Sequence, residues 1–287
     1  MKLSLSVRVA ESFSDKTKAD MNLKKLAALA VDHGYHAVCM RASQIGTHSS
    51  IEEVRAARAI LEQCNLAVSM VTGDFPIPQN TDEQGPQALR NITPYLDLAE
   101  NLNSDLLRIC MKKDEDIVWA QRAADEAAER GLRMAHQCHT KSLFEEVDRS
   151  LEILQSVDRP NFGIIYEPVN LDACGQSYGE ATLSRFAPYL FNVYLQNHIE
   201  NSAGENTLNT WVRGPVNFNH LPIWESGGIN IPEIFDGLHH IGYEGYVTIH
   251  QAFGGLQGPA EATEKSAAYL RSLASFKPLP IRKRTLK

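Results

Sequence analysis

The sequence predicts a single (β/α)8 barrel, in which helices surround a closed sheet of parallel strands. Short apolar runs alternate with longer amphipathic segments along all 287 residues, and they form eight successive strand–helix units. No break in composition divides the chain. Strands that alternate with helices form parallel sheets, and eight such units are enough to close a barrel.

The units follow one another in order. Leu23, Leu26 and Ala30 have helical spacing in the first helix, and Ser50 and Gly131 are suited to begin and end two others. A long polar loop is expected after the seventh strand. The predicted strands are Lys2–Val9, Tyr35–Arg41, Leu66–Val71, Asp105–Cys110, Leu132–His136, Phe162–Glu167, Asn192–His198 and Tyr246–His250. The predicted helices are Asp20–His33, Ser50–Cys64, Gln87–Leu102, Asp114–Arg130, Ser142–Ser156, Ala181–Tyr189, Ile231–Ile241 and Ala260–Ala274.

A doubly wound open sheet is the alternative fold. It is disfavoured because no Gly-rich phosphate-binding motif follows any strand. We therefore expect residues 1–287 to form one barrel domain, in which residues 275–287 are a basic, solvated tail.

Composition limits the classes of function. The hydrophobic share of 43% and the charged share of 22% are ordinary for a globular protein. A net charge of −7 and a pI near 5.8 argue against a nucleic-acid binder. The five cysteines include no CxxC pair, which disfavours a disulfide framework or a zinc ribbon. Without a signal-peptide pattern or an apolar stretch of membrane-spanning length, a reducing cytoplasm is the expected location.

Four successive apolar runs end in groups that can bind a metal ion or move a proton. LRMAHQCH ends on His136 and His139, FGIIYEP ends on Glu167, FNVYLQNH ends on Gln196 and His198, and GYVTIHQ ends on His250. The carboxyl ends of barrel strands form one rim, so these groups are expected to converge. Counting alternate residues back from each end places His136 with Leu132 and Met134 on one face of the fifth strand.

These four strand ends predict one divalent-metal site. Imidazole, carboxylate and amide oxygen suit borderline ions better than calcium. The candidate ions are manganese, cobalt, zinc, iron and magnesium. A histidine at a strand end, taken alone, is more often a hydrogen-bonded structural residue, and it is the recurrence on consecutive units that favours the metal site.

Three segments resemble the xylose-isomerase-like TIM barrels, the superfamily of sugar phosphate isomerases and epimerases that includes hydroxypyruvate isomerase and inosose dehydratase. The segments are GYHAVCMR, NLAVSMVTGDF and GGINIPEIFDGLHHIGYEGYVTIH, and the resemblance extends over nearly the whole chain. Members typically bind one divalent ion through Glu, Asp or Glu, His or Gln, and Glu on the fifth to eighth strands. Carried over, the resemblance implies the metal ligands His136, Glu167, Gln196 and His250, of which His136 and His250 depart from the family's glutamates.

Other polar residues are candidates for substrate binding or catalysis. His198 lies where many members carry a lysine that contacts the substrate, and Arg213 lies in a loop where an arginine often contacts substrate oxygens. Arg41 and Arg108 end the second and fourth strands and could bind a carboxylate or phosphate, or make salt bridges at the rim. His139 is a substrate-binding candidate and the reserve metal ligand.

The expected activity is that of a metal-dependent isomerase or epimerase. Its substrate would be a small sugar or a sugar-derived hydroxy-carbonyl compound, and the reaction would pass through an enediolate, with Glu167, His198 and His250 as catalytic candidates. A lyase or dehydratase on a keto-sugar or polyol is the first alternative, and a non-catalytic sugar-binding barrel is the second. No nucleic-acid or membrane partner is expected, whereas a homo-oligomer is consistent with the family, whose barrels often pair.

Overall fold

A computed structural model describes residues 1–12, 15–77, 83–251 and 258–277. Its eight-stranded parallel barrel is closed and confirms the predicted fold. Each strand pairs with its neighbours in sequence, and the last barrel strand closes the sheet against the first. The barrel strands are β1 (Lys2–Ser6), β2 (Ala37–Met40), β3 (Ala67–Val71), β4 (Leu106–Ile109), β5 (Arg133–Gln137), β6 (Phe162–Tyr166), β7 (Leu190–Leu195) and β11 (Tyr246–Ile249).

Helices cover the outside of the barrel. They pack apolar faces, such as that of Leu26, Ala27 and Ala30, on the outward side chains of the strands. Ser50 begins one helix with a capping box that involves Glu53. The helices are α1 (Leu23–Asp32), α2 (Ile51–Gln63), α3 (Thr93–Asn101), α4 (Asp116–Glu129), α5 (Val147–Val157), α6 (Pro168–Ala173), α7 (Glu180–Phe186), α8 (Ile231–His240) and α9 (Pro259–Leu273).

A layer of inward side chains fills the barrel and identifies the inner face of each strand. Six strands contribute one buried residue each to a single cluster, which consists of Cys39, Met70, Leu106, Ala135, Ile165 and Tyr194. Side chains alternate along a strand, so the residues two positions beyond these also face inward. On β2, β4, β5, β6 and β7 those residues are Arg41, Arg108, Gln137, Glu167 and Gln196.

The segment after β7 is a small sheet, whereas the sequence predicted a polar loop. Strands β8 (His198–Glu200), β9 (Asn206–Thr210) and β10 (Gly214–His220) pair antiparallel in the order β8-β10-β9. The prediction was wrong because polar residues occupy most positions of these strands, and few of them are buried. The Glu145 carboxylate accepts hydrogen bonds from the backbone N–H groups of Trp211 at 2.8 Å and Val212 at 3.0 Å. This contact ties the small sheet to the loop between β5 and α5.

Three further expectations concerned the cysteines, membrane-spanning helices and the basic tail. All five cysteines are free thiols. Within the described ranges, no helix is both long and apolar enough to cross a membrane. Most of the predicted basic tail, residues 278–287, lies outside the described residues.

Candidate functional site

A cavity of about 750 Å³ opens at the carboxyl end of the barrel, between the strand ends and the small sheet β8–β10. Strand-end residues form its floor, and residues of β9 and β10 form part of its wall. Active sites of this fold lie at this end of the barrel. The cavity is therefore the candidate active site.

Glu167 is fully buried directly behind the floor, in contact with three residues that line the cavity. Its carboxylate accepts hydrogen bonds from the side-chain amides of Gln137, Asn170 and Gln196. Burial raises the pKa of Glu167, and the hydrogen bonds from Gln196 and Gln137 oppose that rise. The result is an oriented carboxylate with a higher proton affinity than an exposed one, which suits a general base.

His250 lies beside this floor at the end of β11. Its ring stacks on Tyr194 with a centroid separation of 3.7 Å, and its Nδ1 lies 3.1 Å from the Ser6 hydroxyl. Burial and the positive charges of Arg41 and Arg8 hold the pKa of His250 well below its usual value. The imidazole is therefore neutral near pH 7 and can accept a hydrogen bond.

The structure corrects the expected position of His136. Its ring stacks on Phe144 at a centroid separation of 4.0 Å, on the helix-facing side of β5, and its Nδ1 lies 2.6 Å from the carbonyl of Gln137. The alternation had been counted from Leu132, but Ala135 is the inward residue of this strand. Gln137 is therefore the β5 residue that contacts Glu167.

His139 and His198 both line the cavity. The Nδ1 atom of His139 lies 3.2 Å from the carbonyl of Thr140, and burial together with Arg108 holds the pKa of this histidine well below its usual value. The Nε2 atom of His198 lies 3.0 Å from the Asp172 carboxylate. This carboxylate–imidazole pair at the cavity edge has the geometry of an oriented proton donor.

Two of the three predicted arginines face the cavity. Arg41 lines it and donates to both oxygens of Glu11, at 2.6 and 3.1 Å. Arg108, on β4, also lines it. Arg213 does not line this cavity, because it is exposed and pairs with Glu200 at the outer edge of the small sheet.

Sequence reasoning missed Arg8, Glu11 and Gln137. Arg8 and Glu11 follow β1, which ends on Ser6 and carries no obvious terminal functional group. Alternation could have identified two of these residues, since Ser4, Ser6 and Arg8 share one parity, as do Ala135 and Gln137. Glu11 had no such signal, because it lies beyond a short 3-10 helix, Val7–Ala10.

The residues at the strand ends do not fit the divalent ion that the family resemblance implied. The inward residues of β5, β6, β7 and β11 supply one carboxylate, two amides and one imidazole, and both amides donate to the carboxylate. In the part of the chain that the structure describes, no three His, Cys, Asp or Glu side chains are grouped as metal ligands. Buried guanidinium groups line the same cavity and oppose a further cation.

Comparisons with known proteins agree with the fold. The model of a family described as xylose isomerase-like TIM barrel matches residues 27–273. No curated protein matches the sequence significantly.

Solved structures resemble the chain over nearly its whole length. The probable 3-DHS dehydratase AsbF of Bacillus anthracis is 15% identical, with a TM-score of 0.70 over 94% of this chain and 99% of that one. A D-allulose 3-epimerase from Methylomonas sp. is 14% identical, with a TM-score of 0.66 over 96% and 98% of the two chains. A xylose isomerase-like TIM barrel protein from Mycobacterium smegmatis, described in complex with magnesium, is 15% identical, with a TM-score of 0.66 over 95% and 97%. At these identities the likeness shows the fold alone.

Proposed function

Because this chain belongs to the xylose isomerase-like TIM barrel family, we propose that it isomerises or epimerises a small sugar or sugar-derived hydroxy-carbonyl compound. The observation that carries the proposal is the buried Glu167 carboxylate directly behind the cavity floor, held by the amides of three residues that line the cavity. Solved structures with this fold include a D-allulose 3-epimerase, which supports a carbohydrate-like substrate.

In the proposed mechanism, Glu167 removes the proton from the carbon next to the substrate carbonyl. The electron pair of the broken C–H bond forms the double bond of an enediolate, and the carbonyl oxygen becomes negative. Arg8 and Arg108 supply positive charge near Glu167, and both interact electrostatically with its carboxylate. Such preorganised charge stabilises an oxyanion in a site that excludes water.

The return of the proton decides the product. If protonated Glu167 returns it to the former carbonyl carbon on the same face, and the adjacent hydroxyl gives its proton to the negative oxygen, the product is an isomer. If the proton returns to the original carbon from the opposite face, the product is an epimer, and a second group must supply that proton. His198, which lines the cavity and pairs with the Asp172 carboxylate at 3.0 Å, is the candidate for this second role.

A lyase or dehydratase is the second candidate because of the pair formed by His198 and Asp172. Protonated His198 could donate to a β-oxygen as that group leaves the same enediolate. A neighbour with the same fold is described as a probable dehydratase. Loss of water from the substrate would favour this reaction over isomerisation.

Hydrogen exchange tests the central step across a range of candidate substrates. Ketoses, sugar acids and sugar phosphates are incubated with the protein in D2O, and NMR follows the replacement of C–H by C–D next to the carbonyl. Exchange in at least one compound is expected. A protein that binds such a compound without exchange would instead be a sugar-binding barrel.

Chelation should leave this exchange unchanged. Since the strand ends supply a single carboxylate, to which two amides already donate, we expect the purified protein to contain substoichiometric manganese, cobalt, zinc, iron and magnesium. EDTA treatment and metal analysis by mass spectrometry are the measurements. A stoichiometric ion whose removal abolishes exchange would contradict the proposal.

The pH profile should show an acid limb at a higher pH than an ordinary glutamate gives. Burial raises the pKa of Glu167 above the usual value of 4.5, and only the ionised form acts as a base. The exchange rate should therefore fall as the pH is lowered through this raised pKa, and kcat/KM against pH is the measurement. Protonation in this window favours the folded state, because the folded pKa exceeds the unfolded one. A thermal melt at each pH separates this loss from acid unfolding.

A further inference from the structure

Buried positive charge exceeds buried negative charge at one side of the cavity. Three guanidinium groups, those of Arg8, Arg41 and Arg108, line it together with the carboxylate of Glu11. Glu11 is committed to Arg41 through two hydrogen bonds, and its Oε1 also accepts from the Ser43 hydroxyl at 2.8 Å. Its distance to Arg8 is 3.8 Å, which is too long for a hydrogen bond.

Arg108 is the least compensated of the three. It is 2% exposed, its side chain has no ion pair or hydrogen bond to another residue in the ranges that the structure describes, and its Nε atom is buried without a partner. A guanidinium group presents five N–H donors and keeps its charge inside a protein. Burying such a group without an acceptor is costly, so its position indicates an external ligand.

Donors from the other two arginines are also unused. The Nε atom of Arg8 and the Nη1 atom of Arg41 are buried without hydrogen-bond partners among the described residues. Burial and the neighbouring charge of Arg41 lower the pKa of Arg8 to about 10, and Arg8 itself contributes most to lowering the pKa of Lys16 to about 8. The cavity thus combines unused donors on three residues with a local excess of positive charge.

We propose that Arg8, Arg41 and Arg108 form a subsite for an anionic group, a carboxylate or a phosphate, on the substrate. This inference rests on the proposed function, because it names the class of compound whose proton Glu167 moves. Two oxygens of a carboxylate or a phosphate accept parallel hydrogen bonds from one guanidinium group, which gives orientation as well as affinity. The substrate class is therefore a sugar acid or a sugar phosphate, and a neutral sugar should bind poorly.

Binding of small anions to the full-length protein tests the subsite without turnover. Inorganic phosphate, glycolate and neutral dihydroxyacetone are titrated at constant ionic strength, and calorimetry and thermal shift record binding. At least one anion should bind saturably, and dihydroxyacetone should not. Tighter binding of phosphate indicates a sugar phosphate, and tighter binding of glycolate indicates a sugar acid. If neither anion binds, the proposal is overturned.

The Arg108→Gln variant assigns the binding to the subsite. We expect its Kd for the anion to rise about 10- to 100-fold, since a hydrogen-bonded charge pair is lost. Arg149→Gln is the matched control, because Arg149 lies on α5 and pairs with Asp114 and Glu152 away from the cavity. Equal affinity in wild type and Arg108→Gln would overturn the proposal.

Thermal stability distinguishes a binding residue from a structural one. Without anion, the melting temperature of Arg108→Gln should be about 2–4 °C above that of wild type, because an unpaired buried charge has been removed. A lower melting temperature together with unchanged anion affinity would assign Arg108 a structural role.

Glu167→Gln separates this proposal from the proposed function. It should keep or strengthen anion binding, because a nearby negative charge is removed, while hydrogen exchange is lost. Anion binding with no exchange in any tested compound would contradict the proposed reaction and leave the subsite supported. Exchange with neutral sugars alone would support the proposed reaction and contradict the anion subsite.

Discussion

Replacing Glu167 by glutamine should lower kcat for proton exchange by about three orders of magnitude, because a positioned general base contributes roughly 10²- to 10⁴-fold. Glutamine keeps the size of the side chain but removes the basic oxygen. The neighbouring amides of Gln137 and Gln196 can rotate to present oxygen to the new amide group, so the fold should survive. Exchange of substrate C–H in D2O is the measurement, and circular dichroism checks the fold.

Glu225→Gln is the control for this substitution. Glu225 is exposed in the loop before α8, and its variant should retain full activity. If the Glu167→Gln variant remains active, a residue that lines the cavity must be the base instead, with His250 as the first candidate. The same substitution at His250 or His139 would then identify the base.

Replacing Asn197 by alanine should reduce the free energy of unfolding by about 3–5 kcal/mol and the melting temperature by about 10 °C. Asn197 is fully buried directly after Gln196. Its amide donates to the carbonyls of Pro222 and Glu225, both at 3.0 Å, and its side-chain oxygen accepts from the N–H of Ile229 at 2.9 Å. Alanine would leave two buried backbone groups, of Pro222 and Ile229, and the partly buried carbonyl of Glu225 without partners.

Urea denaturation measures this effect, and Asn217→Ala is its control. Asn217 also uses its side chain in hydrogen bonds, to Thr207 at 2.7 Å and Ser202 at 3.1 Å, but these bonds are exposed on the small sheet. Water can replace them, so its loss should cost less than about 1 kcal/mol. Similar losses in the two variants would show that Asn197 does not hold the loop of residues 221–229 against β7.

The difference between this site and the family expectation is one of charge. The family resemblance implied carboxylates for a cation at the ends of the fifth and eighth strands, whereas Gln137 and His250 line the cavity there and buried guanidinium groups stand nearby. Positive charge that a metal would supply can come from arginine, which also stabilises a developing oxyanion. The absence of carboxylates from these two strand ends and the nearby arginines both favour an anionic ligand over a cation in the cavity.

The position of His136 shows where sequence reasoning reached its limit. The strand was identified, but an offset of one residue in counting the alternation assigns every side chain to the opposite face of the strand. Leu132, Met134, Ala135 and His136 are all buried, because both faces of a barrel strand are covered. Hydrophobicity alone therefore could not select the inner face of β5. On β7 and β11, Gln196 and His250 line the cavity, as counting back from the strand end implied.

The sequence by itself determined the barrel, the order of its strands, and the placement of Glu167, Gln196 and His250 at one rim. Alternating apolar runs and helical periodicity are local properties, and closure of eight units follows from them. Only the tertiary structure decided which neighbours each polar group meets. It showed that amides surround Glu167, that Glu11 is taken by Arg41, and that Arg108 has no counter-ion among the described residues. Charge balance depends on distances between residues far apart in the chain, and these exist only once the barrel is closed.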